Sequence, residues 1–132
     1  MYRHDGKAII VSNKDTWTIP FMVKGHVLAS TEKVVLTVRE VKASWDRYKL
    51  LSHMGDILYQ KALSPGDLGI MELKDDGGTV VGFYACFTAS VEESGKIPAG
   101  EQAYDLAVID ETAQSEWAYI PPTTFKVLEV LR

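Results

Sequence analysis

The chain has 132 residues, of which 46% are hydrophobic and 24% are charged, the size and composition of one ordinary globular domain. Its net charge of −4, without a cluster of basic residues, argues against binding to a nucleic-acid backbone, which requires a positively charged stripe. The single cysteine, Cys86, excludes an intrachain disulfide and a four-cysteine zinc site, so we expect one domain over residues 1–132.

Alternation of apolar and polar residues dominates the first third of the chain, and this period of two is typical of half-buried strands. It predicts strands at residues 8–12, 16–23 and 32–41. Four large apolar residues of the second strand fall on one face: Trp17, Ile19, Phe21 and Val23. Pro20 predicts an edge or a bulge for this strand, because proline cannot donate to a sheet ladder.

Residues 44–55 break this alternation. Four apolar residues recur there at helical spacing: Trp45, Tyr48, Leu51 and Met54. Ser44 suits the N-cap of a short helix. We therefore predict a short irregular or helical insertion near residues 44–55, followed by an extended segment at 56–61.

The clearest hairpin joins a strand at residues 68–74 to a long strand at 79–90. The intervening Asp75-Asp76-Gly77-Gly78 supplies the positive φ angles of a tight turn. Both faces of the strand at 79–90 are apolar, which predicts a central strand covered on each side for part of its length. The turn-rich residues 92–100 follow this strand.

Three further strands are predicted at residues 102–109, 117–120 and 124–131, with Pro121-Pro122 marking a corner between the last two. Seven to nine short strands without βαβ alternation predict an all-β fold, an antiparallel β-sandwich. A small barrel is an alternative that the pattern does not separate from the sandwich.

Residues able to carry out catalysis are few. The histidines at positions 4, 26 and 53 have no metal-ligand spacing, so we expect no catalytic, metal or cofactor site. An enzyme would need a pocket that brings together His53, Asp56 and Asp105. Asp105 lies within a predicted strand, where it must face solvent or find a partner.

Aromatic residues could instead form a stacking platform for a sugar. Six are candidates: Trp17, Trp45, Trp117, Tyr48, Tyr59 and Tyr119. Most large aromatic residues of a sandwich belong to its core, so carbohydrate binding is the second hypothesis. It predicts an exposed, coplanar aromatic pair.

Four segments carry a resemblance to a known family: residues 13–16, 32–41, 97–108 and 123–130. In this order they resemble the immunoglobulin-like β-sandwich domains of bacteriophage tail and baseplate proteins, such as the N-terminal domain of baseplate upper proteins, often encoded in prophages. The resemblance spans roughly residues 7 to 131. It implies an immunoglobulin-like sandwich with an architectural role and no catalytic residues.

A domain of this kind acts through protein–protein contacts. The partners that the resemblance implies are other phage tail or baseplate proteins, with the domain working as a homo-oligomer or within a larger assembly. We expect the interaction surface in the insertion, which holds five candidate residues: Trp45, Tyr48, Leu50, Leu51 and Met54.

The expected location follows from the chain ends and the apolar runs. The first residues have no apolar core with a cleavage site, so we expect no signal peptide and synthesis in the bacterial cytoplasm. The longest apolar run is about five residues, far below the roughly 20 of a membrane helix, and predicts no membrane insertion. If a phage encodes the protein, it belongs to the virion tail.

Overall fold

The computed structural model describes the backbone at residues 2–5, 8–46 and 49–129, and the side chains at 8–41 and 55–129. Its elements in chain order are β1 (Tyr2–Asp5), β2 (Ala8–Ser12), β3 (Trp17–Lys24), β4 (Glu32–Asp46), β5 (Lys49–Leu63), β6 (Ile70–Lys74), β7 (Val80–Ala89), α1 (Val91–Gly95), β8 (Gly100–Asp110) and β9 (Ser115–Leu128). The all-β prediction is confirmed.

The strands form two sheets. Six strands follow the order β1-β2-β9-β8-β4-β5, and the other three follow the order β3-β7-β6. Neighbouring strands are antiparallel except β2 and β9, which pair in parallel at the end of β9. The series β9-β8-β4-β5 opposite β3-β7-β6 has the strand order G-F-C-C′ opposite B-E-D, which is that of an immunoglobulin-like sandwich.

The core lies between the two sheets. The predicted inner face of β3 is confirmed, because its burial alternates strictly from Trp17 to Lys24. Opposite it, Val34, Leu36 and Val38 of β4 are fully buried. Aromatic rings fill the centre, where Phe21 contacts both Phe87 and Tyr104 at ring-centroid distances near 6 Å.

The predicted hairpin turn between β6 and β7 is confirmed. The Asp75 carboxylate accepts hydrogen bonds from the backbone N–H groups of Gly77 and Thr79, each at 2.9 Å. Gly78 has a φ of +82°, a conformation that side chains disfavour. These aspartate and glycine residues therefore form the turn itself.

The insertion predicted near residues 44–55 is wrong. Residues 44–46 end β4 and residues 49–55 begin β5, and the two segments pair as one antiparallel hairpin. Trp45 lies on β4, whereas Leu51 and Met54 lie on β5, so their helical spacing belongs to two paired strands and not to one helix. Over a short stretch of apolar residues, periodicity alone does not separate these two structures.

One expectation for the last strands also needs correction. β9 is one strand rather than two, although its pairing with β8 skips Pro121 and Pro122 at an irregularity between Tyr104 and Leu106. A bulge thus accommodates the prolines that cannot donate to a ladder.

The prediction for the strand at 79–90 is confirmed, because β7 is central in its sheet and its outer face is covered for part of its length. On that face Gly82 is buried and Cys86 is half-buried, whereas Tyr84 and Thr88 are exposed.

Two elements were not expected. β1 pairs with β2 and extends the larger sheet at its edge. α1 begins at Ser90, whose hydroxyl accepts from the Glu93 N–H while the Glu93 carboxylate accepts from the Ser90 N–H. This capping box was readable in the Ser90-x-x-Glu93 spacing.

Candidate functional site

The hairpin of β4 and β5 continues after the rest of the larger sheet has ended. β4 pairs with β8 only from Glu32 to Arg39, whereas its pairing with β5 continues to Asp46. We name residues 41–54 the arm. With about 3.3 Å per residue, its six paired positions on β4 span about 20 Å. No third strand pairs with the arm among the described residues.

The arm leaves the sheet at a bend. The pairing of β4 with β5 shifts between Val38 and Arg39 and again between Arg39 and Val41. Such irregularities bend a strand and increase its twist. β4 parts from β8 at the same place, because their last pair is Arg39 with Ala103.

Gln102 bridges the gap that this separation opens. Its amide carbonyl accepts a hydrogen bond of 3.4 Å from the Val41 N–H, and its amide nitrogen donates to the Pro98 carbonyl at 3.2 Å. The residue is buried although it is polar. One side chain therefore joins the base of the arm to the loop before β8. A surface cavity of about 360 Å³, lined in part by Val41 and Thr123, opens beside it.

The register divides the arm into two sets of pairs. One set is largely apolar: Val41 with Met54, Ala43 with Ser52, and Trp45 with Leu50. The alternate set is largely polar: Lys42 with His53, Ser44 with Leu51, and Asp46 with Lys49. Since alternate residues of a strand belong to opposite faces, the register favours one apolar and one polar face of the arm.

The arm is also the basic part of an acidic chain. Residues 41–54 hold three basic residues and one acidic residue, a net charge of +2. Because the whole chain has a net charge of −4, the other residues have −6. Opposite charges in one molecule favour an oriented encounter with an acidic partner surface.

The five residues predicted as an interaction surface all fall in this hairpin by sequence. Trp45 ends β4 and Leu50, Leu51 and Met54 begin β5, although their side chains are outside the described residues. Tyr48 lies wholly outside them. The register adds Val41 to the apolar set and assigns Leu51 to the polar one.

Of the three residues that an enzyme would need to bring together, His53 and Asp105 occupy separate positions in the strand register. Asp105 pairs in register with Thr37 of β4, whereas His53 pairs with Lys42. These positions are five residues apart on β4, or roughly 16 Å along the strand. The pKa of the Asp105 carboxyl is raised above its ordinary value, mainly because the group is partly buried. The Arg39 guanidinium lowers this pKa and the Glu116 carboxylate raises it, but both effects are smaller than that of burial.

His26 has a structural partner instead. Its Nε2 lies 3.0 Å from both carboxylate oxygens of Glu32, and one of these oxygens also accepts from the Ala29 N–H at 2.7 Å. These contacts fix the loop between β3 and β4. Within the described residues, no three His, Cys, Asp or Glu side chains group together as a metal ion would require.

The aromatic candidates separate into core and surface. Trp17 and Tyr59 are buried with ring centroids 5.1 Å apart, so they cannot form a surface platform. Trp117 is 43% exposed and contacts both Tyr119 and His26. The Trp117 and Tyr119 rings are inclined by 55°, so this exposed pair is not coplanar.

No protein-family model matches the sequence, and no significant match is found among curated proteins. In the described part of the chain, no helix has the length and apolar character needed to cross a bilayer.

Proposed function

We propose that the protein is a non-enzymatic structural component of a phage or prophage tail or baseplate, and that it acts there as a protein–protein docking domain. The resemblance of four segments, from residues 13–16 to residues 123–130, supports the tail assignment. The immunoglobulin-like strand order supports it further, because this is the fold that the resemblance implies.

The observation that carries the docking role is the arm. A two-stranded ribbon without further strands is only marginally stable in water. The six residue pairs by which the arm extends past the sheet therefore contribute little to folding, and a role in binding accounts for them better. Its apolar register pairs would be covered by a partner protein, and its net charge of +2 suits an acidic one. The candidate residues Trp45, Leu50 and Met54 belong to this surface.

The arm can be removed without disturbing the sandwich. Val41 and Met54 are register partners, so replacing residues 42–53 by Asn-Gly joins them through a two-residue turn. We expect the shortened chain to keep the circular dichroism spectrum of the full chain. We expect it to lose binding to the purified products of the neighbouring genes, measured by size-exclusion chromatography with light scattering.

Trp45→Ser in the full-length arm is a milder version of this test, with Trp117→Ser, at an exposed tryptophan outside the arm, as the control. Loss of the complex in the first variant and its retention in the second is the expected outcome. A complex that survives removal of the arm would overturn the docking role of this surface. Neighbouring genes without any tail or baseplate protein would overturn the tail assignment.

A carbohydrate-binding or host-surface adhesion role is the second candidate, and exposed Trp117 favours it. An indole ring can stack on a sugar face, and the Glu32 carboxylate beside His26 offers hydrogen-bond acceptors nearby. The expected outcome is glycan-array binding that Trp117→Ala abolishes. An array without signal would exclude this role.

A further inference from the structure

The smaller sheet has two edges of different character. β3 forms one edge and contains Pro20, which lacks an N–H group and discourages pairing with another strand. β6 forms the other edge over Ile70–Lys74 and contains no proline. Of the two, β6 is therefore the edge to which an extended chain could add.

The direction of the β6 peptide groups follows from its pairing with β7. The Cys86 N–H donates to the Gly69 carbonyl at 2.8 Å, so residues 69 and 86 form a hydrogen-bonded pair. Such pairs alternate along an antiparallel ladder. Met71 and Leu73 therefore direct their N–H and C=O groups toward β7, whereas Glu72 directs its own toward the open edge.

A cavity lies beside this edge, between β6, β7 and the loops that follow β3 and β5. It has a volume of about 310 Å³, at the lower limit of small-molecule pockets and about twice the volume that holds a benzene ring. Six apolar side chains contribute to its walls: Val27, Leu28, Pro65, Ile70, Val80 and Phe83. Glu72 is the only charged residue that lines it.

We propose that β6 is a second docking site, which binds an extended segment of another protein by strand addition and holds a lysine side chain of that segment in the cavity. Main-chain pairing at Glu72 provides affinity, and the cavity selects the side chain, the usual division of roles in strand addition. A lysine fits because its four methylene groups suit apolar walls while its ammonium group reaches the Glu72 carboxylate.

This site goes beyond the proposed function of the arm and does not depend on it. Val27 and Leu28 precede the start of β4 and Pro65 follows the end of β5, so the cavity is at the end of these strands opposite the arm. The chain with residues 42–53 replaced keeps both β6 and the cavity. Each surface can therefore fail its own test while the other passes.

The test is an NMR titration of the full, ¹⁵N-labelled chain with the acetylated and amidated peptide Thr-Val-Lys-Val-Thr. We expect saturable shift changes at the amides of Glu72 and Phe83. A peptide with norleucine in place of lysine should bind about three- to fivefold more weakly, as is typical of one solvent-exposed ion pair. In Glu72→Gln both peptides should bind equally.

Val27→Phe tests the cavity itself. Val27 is 56% exposed at the cavity mouth, so a larger side chain can fill the opening without disturbing the core. We expect this variant to lose the peptide-dependent shifts at Phe83. The matched control is Val91→Phe on α1, which is similarly exposed and should bind the peptide as the parent chain does.

Three results would overturn the proposal. They are shift changes that avoid β6, equal affinity for the lysine and norleucine peptides in the parent chain, and unchanged binding in Val27→Phe. If the β6 amides shift with protein concentration alone and sedimentation equilibrium gives a dimer, the occupant is a second copy of this chain and not a foreign segment.

Discussion

The two halves of the β4–β5 hairpin have the same backbone conformation but different surroundings. In the first half, β4 is held between β5 and β8, and Val34, Leu36 and Val38 are buried against the smaller sheet. In the second half, the arm, the two strands pair only with each other among the described residues. In the first half, neighbouring strands and the core thus cover the hairpin. In the arm, its edges and faces remain available to a partner protein.

The boundary between the halves is a few residues long. β4 bends between Val38 and Val41, and Gln102 bridges β4 and the loop before β8 at this place. We infer that the first half determines stability and the second half determines recognition. The predictions below test this division.

The largest effect is expected from the core. Phe87→Ala removes a fully buried ring that contacts Phe21 at the centre of the sandwich. It should lower the free energy of unfolding by about 3–5 kcal/mol, because both apolar burial and packing are lost. Urea denaturation followed by circular dichroism measures this, with exposed Tyr84→Ala as the control. Similar losses for the two variants would contradict the assignment of the core.

A smaller effect is expected where β7 extends past the short edge strand β6. The Tyr59 hydroxyl donates to the Thr88 carbonyl at 3.0 Å, so Tyr59→Phe leaves this acceptor without that bond. We expect a loss of about 1–2 kcal/mol in the same measurement. Tyr84→Phe, which alters an exposed hydroxyl, should change stability by less than about 0.5 kcal/mol.

The same tyrosine predicts a pH dependence. Burial, with the Glu93 carboxylate as a smaller cause, raises the pKa of the Tyr59 hydroxyl. The neutral phenol is therefore favoured in the folded state, and its contribution is complete below pH 10 and lost as the pH rises further. Above pH 10 the parent chain should lose stability more steeply than Tyr59→Phe. Parallel curves for the two proteins would contradict the raised pKa.

Gln102→Met tests the bridge between the halves. The variant keeps a side chain of similar length but loses the hydrogen bonds to Val41 and Pro98. We expect a loss of about 1 kcal/mol, since the Val41 N–H and the Pro98 carbonyl lose their hydrogen bonds to this buried side chain. Gln114→Met, in an exposed turn, should leave stability unchanged. If Gln102→Met weakens the complex with tail proteins and Gln114→Met does not, the bridge also orients the arm.

The smallest change in stability is expected from removal of the arm. Replacement of residues 42–53 by Asn-Gly should change the free energy of unfolding by less than about 1 kcal/mol, because a two-stranded ribbon alone is marginal in water. Urea denaturation of the shortened and full chains measures the difference. A loss as large as that of Phe87→Ala would mean that the arm belongs to the core, and the division between the halves would fail.

Alternation within the chain was sufficient to predict most of the body. The faces of β3 follow from the sequence because this strand has one buried and one exposed side. In β4 the predicted inner residues Val34, Leu36 and Val38 are buried, but Val35 and Thr37 on the opposite face are buried as well. The turn at Asp75 was equally readable, since its geometry depends on local residues alone. Its side chain bonds within four residues of itself.

The candidate site was only half predictable. The sequence predicted an interaction surface near Trp45, in the segment that forms the arm. It assigned a helical or irregular insertion to these paired strands, because the apolar residues of β4 and β5 together have a helical spacing. The Gln102 bridge could not be foreseen. It joins residue 41 to residue 102, and no local pattern connects positions 61 residues apart.

The sequence by itself determined the all-β class, most of the strands, the buried face of β3 and the net acidic charge, because these depend on local alternation and on composition. Only the tertiary structure decided which strands are neighbours, where β4 parts from β8 and which sheet edge stays open. Strand order depends on contacts between distant residues, as when β2 pairs with β9 more than 110 residues later. The interval between Ile9 and Phe125 contains nearly the whole fold, and their pairing is set by the packing of all the strands between them.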